Sequence, residues 1–219
     1  MNTWVISDTH FGHENILKFC NRPFRDEGHM NRTMIERWCH HVKNEDTIYH
    51  LGDFGYLKGS QTYKTTEQQM QELLSILPGK KILIRGNHDK STKRMLEYGF
   101  DFVCDSLYLI VEGIAGHGGC PVLLNHYPLR EPPPNFSRDG QAPAFVLHGH
   151  IHNSKAVDRI PHEHKGELVN IPHFNINCSV EMQNYEPITI QHAINRHIER
   201  MNNPSFWRDE YRQVPDHQH

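Results

Sequence analysis

The short apolar, β-branched runs of this chain keep stopping on the same few residue types. Runs at residues 3–7, 47–51, 81–85, 106–112, 122–125 and 145–148 read as buried strands. The first stops on Ser7-Asp8-Thr9-His10, the second on Gly52-Asp53, and the third on Gly86-Asn87-His88-Asp89. Two later runs stop on His126 and on Gly149-His150-Ile151-His152. Between the early runs the apolar period lengthens to that of a helix. Met30, Met34, Trp38 and Val42 are spaced by four, and Met70, Leu73, Leu74 and Leu77 form one face ahead of Pro78-Gly79. Strands alternating with helices predict βαβ units and a mainly parallel sheet in the first half. After a short helix at 91–98 the strands follow one another through Gly-rich turns, so the second half is more β-rich. "GIAGHGGC" at 113–120 has the glycines of a phosphate loop without its strand–loop–helix setting, and predicts a hairpin turn. "REPPPNF" at 130–136 predicts a stiff, extended loop.

Length and charge narrow the class. The 219 residues suit one domain, since single cores grow to roughly 250 residues before splitting. No internal repeat or boundary divides residues 1–219, so the expectation is a single domain with a last helix at about 191–201 and a polar tail, the two together from about 188. A net charge of −3 excludes a globally basic surface and long-range steering toward nucleic acid. Five scattered cysteines without a CxxC pair read as reduced thiols rather than a disulfide frame. No run of 18 apolar residues and no signal-peptide pattern appear, so a cytoplasmic protein without membrane attachment is expected.

The strand ends carry the chemistry, because open α/β sheets bind ligands outside the carboxyl ends of their strands. Asp8, His10, Asp53, Asn87, His126, His150 and His152 all fall at such ends. Each has an ordinary reading as well. Asp8 would cap a helix starting near His13, Asp53 would cap a turn, Asn87 would supply a left-handed residue, and His126 would be a satisfied buried histidine. Together they form a set of oxygen and imidazole donors that suits Mn, Fe, Zn, Co or Ni better than Mg or Ca. Seven donors exceed one tetrahedral ion and suit two ions sharing a carboxylate. Two aspartates leave surplus positive charge on such a pair, which invites hydroxide or a phosphate, and two ions about 3.5–4 Å apart can clamp an in-line displacement. His13, three residues past His10, reads either as a phosphate contact or as a solvent-facing helix residue. Arg22, Arg25 and Arg85 read either as anion contacts or as solvated loop charges.

The series DTH, GD, GNHD, NH and GHIH resembles the calcineurin-like metallophosphoesterase superfamily over about residues 3–180. Within it, "DTHFGHENI" and "YHLGDF" are similar to small single-domain phosphohydrolases of bacteria and phages. The resemblance implies an α/β fold of two mixed β-sheets packed as a sandwich and flanked by helices. It implies two divalent metal ions, Mn2+ favoured over Fe, Zn, Ni or Co. Asp8, His10 and His152 would hold the first ion, Asp53 would bridge, and Asn87, His126 and His150 would hold the second. A hydroxide bridging the ions would attack phosphorus, His88 would protonate the departing oxygen, and Asp89 would orient His88. The expected substrate is a small phosphoester, a nucleotide-like phosphodiester favoured over a monoester because the chain lacks a cap domain. A nuclease is the alternative, though a basic, aromatic-lined track for long nucleic acid is missing. A metal-free protein-binding scaffold is disfavoured because every ligand position is filled. The C-terminal helix offers a surface for a homodimer.

Overall fold

The residues spaced by four near the N-terminus do lie on one buried helical face, and they set one side of the core. The computed structural model describes residues 1–57, 65–114, 119–131, 144–153 and 174–202. In chain order, β1 (Thr3–Ile6), the one-turn α1 (Ile16–Phe19) and α2 (Glu27–His41) come first. Next come β2 (Thr47–His50), α3 (Thr66–Ile76), β3 (Lys80–Ile84), α4 (Thr92–Tyr98) and β4 (Phe102–Cys104). The second half runs β5 (Ser106–Val111), β6 (Cys120–Asn125), β7 (Phe145–His148) and β8 (Asn175–Asn177). A 3₁₀ turn at Val180–Gln183, β9 (Ile188–Thr189) and α5 (Ile190–Met201) close it. Side-chain oxygens start the longer helices, as orphan N–H groups require: Asp26 accepts from His29 N, and Thr65 forms a reciprocal box with Gln68.

Two mixed sheets result. The first has the order β4-β3-β2-β1-β9, parallel except for β9, and the second the order β5-β6-β7-β8. In the second, β5 and β6 pair antiparallel with Val111 opposite Cys120, while β6, β7 and β8 run parallel. The pairing of β5 with β6 is the hairpin expected at 113–120, although residues 115–118 lie outside the described residues. Strand alternation splits the apolar side chains between two cores. Ile6, Ile48 and Leu83 face Met30, Met34, Trp38, Met70 and Leu74 of the helices. Val5, Leu51 and Ile84 face Val122, Leu124, Leu147 and Ile176 of the second sheet, with Ile190, Ala193 and Ile194 of α5 joining them. Each such Val, Leu or Ile contributes about 1.5–3 kcal/mol on burial, so both layers are anchored.

β4, β8 and β9 are absent from the sequence reading, since runs of two or three residues give no period to detect. The Pro-rich stretch at 132–136, His162, His164, His173 and the tail with His217 and His219 lie outside the described residues. Among the described residues no helix is long and apolar enough to cross a membrane.

Candidate metal centre

Parallel pairing puts the carboxyl ends of β1, β2 and β3 on one edge, and β6 and β7 bring theirs to the same place. The turns leaving these strands are tied to one another. Asp8 N donates to Gly52 O and His10 N to Asp53 O, while Gly149 N donates to His126 O. Close approach leaves no room for side chains at two positions. A Cβ on Gly86 would collide with the Asp53 carboxylate, and one on Gly149 with Ser7 and the Asp8 carboxylate.

Five of the seven candidate ligands adopt left-handed backbone: Asp8 (φ 57°), His10 (50°), Asp53 (56°), His150 (70°) and His152 (51°). Such conformations cost a non-glycine residue about 1–3 kcal/mol each and persist where surrounding structure imposes them. Here they swing donor atoms inward. Asp8, His10 and His152 each place a ligand atom within 4.8 Å of the others, and Asp8, Asp53 and His126 do the same. Asp53 Oδ2 lies 3.6 Å from His10 Nε2 and 3.6 Å from His126 Nε2. Asn87 Oδ1 lies 3.0 Å from His126 Nε2 and 3.1 Å from His150 Nδ1. All seven are thus brought into one constellation with Asp53 between the halves.

Two features fit this set to cations. His10 Nε2 is buried with no hydrogen-bond partner. His126 Nδ1 donates to Leu51 O at 2.7 Å, which leaves Nε2 facing Asn87 Oδ1, 3.0 Å away. Acceptor atoms that converge in this way need a proton or a metal ion between them.

Burial also keeps imidazoles in the ligand form. It lowers His10 to about 2 and His150 to about 4, outweighing the upward pull of Asp8 on both. His50 and His148, which are fully buried, fall to about 3 and about 4 for the same reason. His152 goes the other way. Burial pulls it down, but hydrogen bonds to Cys20 and Glu181 and the charges of Asp8 and Glu181 lift it to about 11. Burial lifts Asp53 to about 6 despite His126, with Asp8 adding to the rise. Burial would raise Asp8 as well, yet His152, His126 and His10 hold it well below the usual carboxylate range.

The remaining candidates divide. His88 is half exposed beside the centre, its Nε2 4.0 Å from Asp53 Oδ2 and its backbone N–H donating to Asp53 Oδ1. His13 does not face water from a helix, because α1 begins later; its Nδ1 lies 3.3 Å from His10 Nδ1. Asp8 caps no helix either, since Asn15 holds the N-cap position of α1. Asp89 neither caps α4, whose cap is Ser91, nor bonds the His88 ring among the described residues. Its carboxylate instead accepts from the backbone N–H groups of Asp53, Phe54 and Gly86, locking the two loops together. The three arginines all pair within the protein. Arg22 is fully buried and spends its donors on Asp8 O, Thr9 O and Glu181, which leaves none for a substrate. Arg25 is exposed and pairs with Asp26 at the start of α2, and Arg85 pairs with Asp105.

Sequence reading missed His50, which accepts from Gly52 N and bonds Thr9 Oγ1, and the polar residues of 175–181. A signal for the latter existed. Asn175, Asn177, Ser179 and Glu181 alternate with Ile176, Cys178 and Val180, a period of two.

Two mixed sheets with flanking helices, and a donor set at their shared edge, define a metallophosphoesterase architecture. The chain belongs to the calcineurin-like phosphoesterase superfamily, matching its domain over residues 1–170. It is 34% identical over 189 residues to the uncharacterised protein MJ1445 of Methanocaldococcus jannaschii, covering 85% of this chain and 86% of that one. It is 30% identical over 187 residues to the gene 66 protein of Mycobacterium phage L5, covering 76% and 84% respectively. A solved structure, the protein of unknown function AQ665 from Aquifex aeolicus, is similar with a TM-score of 0.56 and 30% identity over 91% of this chain and 98% of its own.

Proposed function

We propose that the protein hydrolyses phosphodiesters of nucleotide size with two divalent metal ions, Mn2+ favoured. The observation that carries this reading is Asp53 Oδ2, 3.6 Å from one imidazole of each half and therefore suited to serve both ions. Asp8, His10 and His152 would hold the first ion with Asp53, and Asn87, His126 and His150 the second. Bound there, two divalent cations supply Lewis acidity toward phosphoryl oxygens and lower the pKa of water.

The chain's own residues do the rest. His88, exposed at the solvent side of Asp53, donates a proton from its imidazole to the departing oxygen. Asp89 fixes the loop that carries His88 through three backbone N–H groups, so it positions that proton rather than moving it. Tyr127 packs 4.7 Å from the His150 ring while keeping 42% of its surface exposed. That flat face beside the centre supports a substrate carrying a base or another ring. A cytoplasmic setting agrees with five free cysteines, three of them buried.

The test is hydrolysis by Mn2+-loaded protein of bis-p-nitrophenyl phosphate, p-nitrophenyl phosphate, cyclic nucleotides and single-stranded DNA. The expected result is faster cleavage of the small diesters than of the monoester. Cleavage of DNA alone would favour a nuclease, and no cleavage of any would overturn the reading.

A further inference from the structure

Three polar side chains at alternate positions of one segment reach the same half of the centre from behind. Asn177 Nδ2 donates to His152 O at 2.7 Å, on the residue whose backbone is left-handed. Ser179 Oγ donates to Asp8 Oδ2 at 3.0 Å. His152 Nδ1 donates to Glu181 Oε1 at 3.0 Å, which turns Nε2 toward Asp8 Oδ1, 3.8 Å away. The intervening Ile176, Cys178 and Val180 are buried in the two cores, so the segment cannot shift by one residue without reversing its faces. None of the three contacting residues lies within the stretch matched by the family domain, which ends at residue 170.

We propose that Asn177, Ser179 and Glu181 form a positioning comb that sets the orientation of Asp8 and His152 for the first metal ion, Glu181 being its main tooth. The proposal rests on the two-metal reading above. A carboxylate on the far nitrogen of a ligating histidine fixes both tautomer and ring direction, and its loss typically weakens metal binding about 10–100-fold. Glu181 is itself held. Arg22 donates to the same Oε1 through Nε and Nη2, at 2.9 and 2.7 Å, and reaches Asp8 O and Thr9 O with its other donors. The comb and the turn carrying Asp8 and His10 are thus clamped by one buried guanidinium. Cys20, His152 and Glu181 also bring ligand atoms within 4.8 Å of one another. With two Arg22 N–H groups on Glu181, that group works as a support and not as a third cation site.

Calorimetric titration of metal-free protein with Mn2+ tests this. The unaltered protein should show two binding events. Glu181→Gln should weaken one of them about 10–100-fold and leave the other in place. Ser179→Ala, which disturbs no charge, should weaken the same event by about 10-fold or less, and it decides the matter if Glu181→Gln does not fold. The melting temperature of each metal-free variant separates positioning from simple loss of structure. Unchanged affinities in folded Glu181→Gln, or equal weakening of both events together with a lowered metal-free melting temperature, would overturn the comb. Absence of any binding by the unaltered protein would instead overturn the metal centre on which it stands.

Discussion

Asp8, His10 and His152 are fixed from within the fold, whereas Asn87, His126 and His150 are held mainly by turns at its surface. All three members of the first group have left-handed backbone, against only His150 of the second. Asp8 and His10 are buried, and Arg22 and Glu181 brace the group from the interior. In the second group only His126 is buried, its ring fixed by a single backbone carbonyl, and Asn87 is exposed. The contrast teaches that one half of the set is braced by buried side chains, while the other rests on fewer contacts nearer the surface.

The change that should break the comparison most completely is Asp53→Asn, because Asp53 faces both halves. Elemental analysis should find most of both ions lost, and activity should fall to that of chelator-treated protein, consistent with the several kcal/mol that metal ions supply. Full occupancy and full rate in this variant would remove Asp53 from the bridge. His88→Ala belongs to neither half and should keep both metals. It should slow cleavage of alkyl or nucleoside esters by about 10²–10⁴-fold, and of p-nitrophenyl esters far less, since nitrophenolate leaves without a proton. Equal losses on both ester types would make His88 a phosphate contact instead.

Two substitutions compare the halves directly. Arg22→Ala leaves Glu181 buried without its cation and should cost about 3–5 kcal/mol, read by denaturant unfolding of metal-free protein. Asn87→Ala, on the exposed half, should change that stability by about 0.5 kcal/mol or less while weakening one ion in a Mn2+ titration. If both variants were equally unstable, the two halves would not differ as described. The smallest effect belongs to Arg25→Ala, which should leave kcat/KM unchanged, because its guanidinium is exposed and already paired with Asp26. A marked loss for phosphoester substrates would restore Arg25 to the site.

The clustering of the seven candidate side chains was legible in the sequence because each follows an apolar run long enough to recognise. Ligand residues at strand ends are local features, and Gly52, Gly86 and Gly149 mark the turns beside them. The role of Asp89 was not legible, since two of its three partners are backbone N–H groups of a loop more than 30 positions earlier. The pairing of Arg22 was hidden for a related reason: a loop arginine gives no sign in sequence that its partner is a glutamate 159 positions later. The comb at 177–181 was legible in period but not in purpose. Its alternation announces an extended segment, yet only the parallel bridge of Ser179 to Ser7, closed by Val180 N donating to Ser7 O, brings Ser179 to Asp8. β4 and β9 fell below detection through brevity alone.

On the two-metal reading, Ser179 and Glu181 complete a centre whose first donor is Asp8, and that span would govern when the centre comes into being during synthesis. A growing chain releases Asp8 and His10 early, then Asp53 and Asn87, but the register that joins β7 to β8 must form before the turn at His152 is braced. A nascent chain therefore carries scattered donors and no preformed trap for cations. On the two-metal reading, metal capture would follow the closing of the last parallel pair, a non-local contact that forms late because loop closure must precede it. Loading would thereby be tied to completion of the fold, and a chain ending before β8 should bind Mn2+ more weakly than the full one in titration.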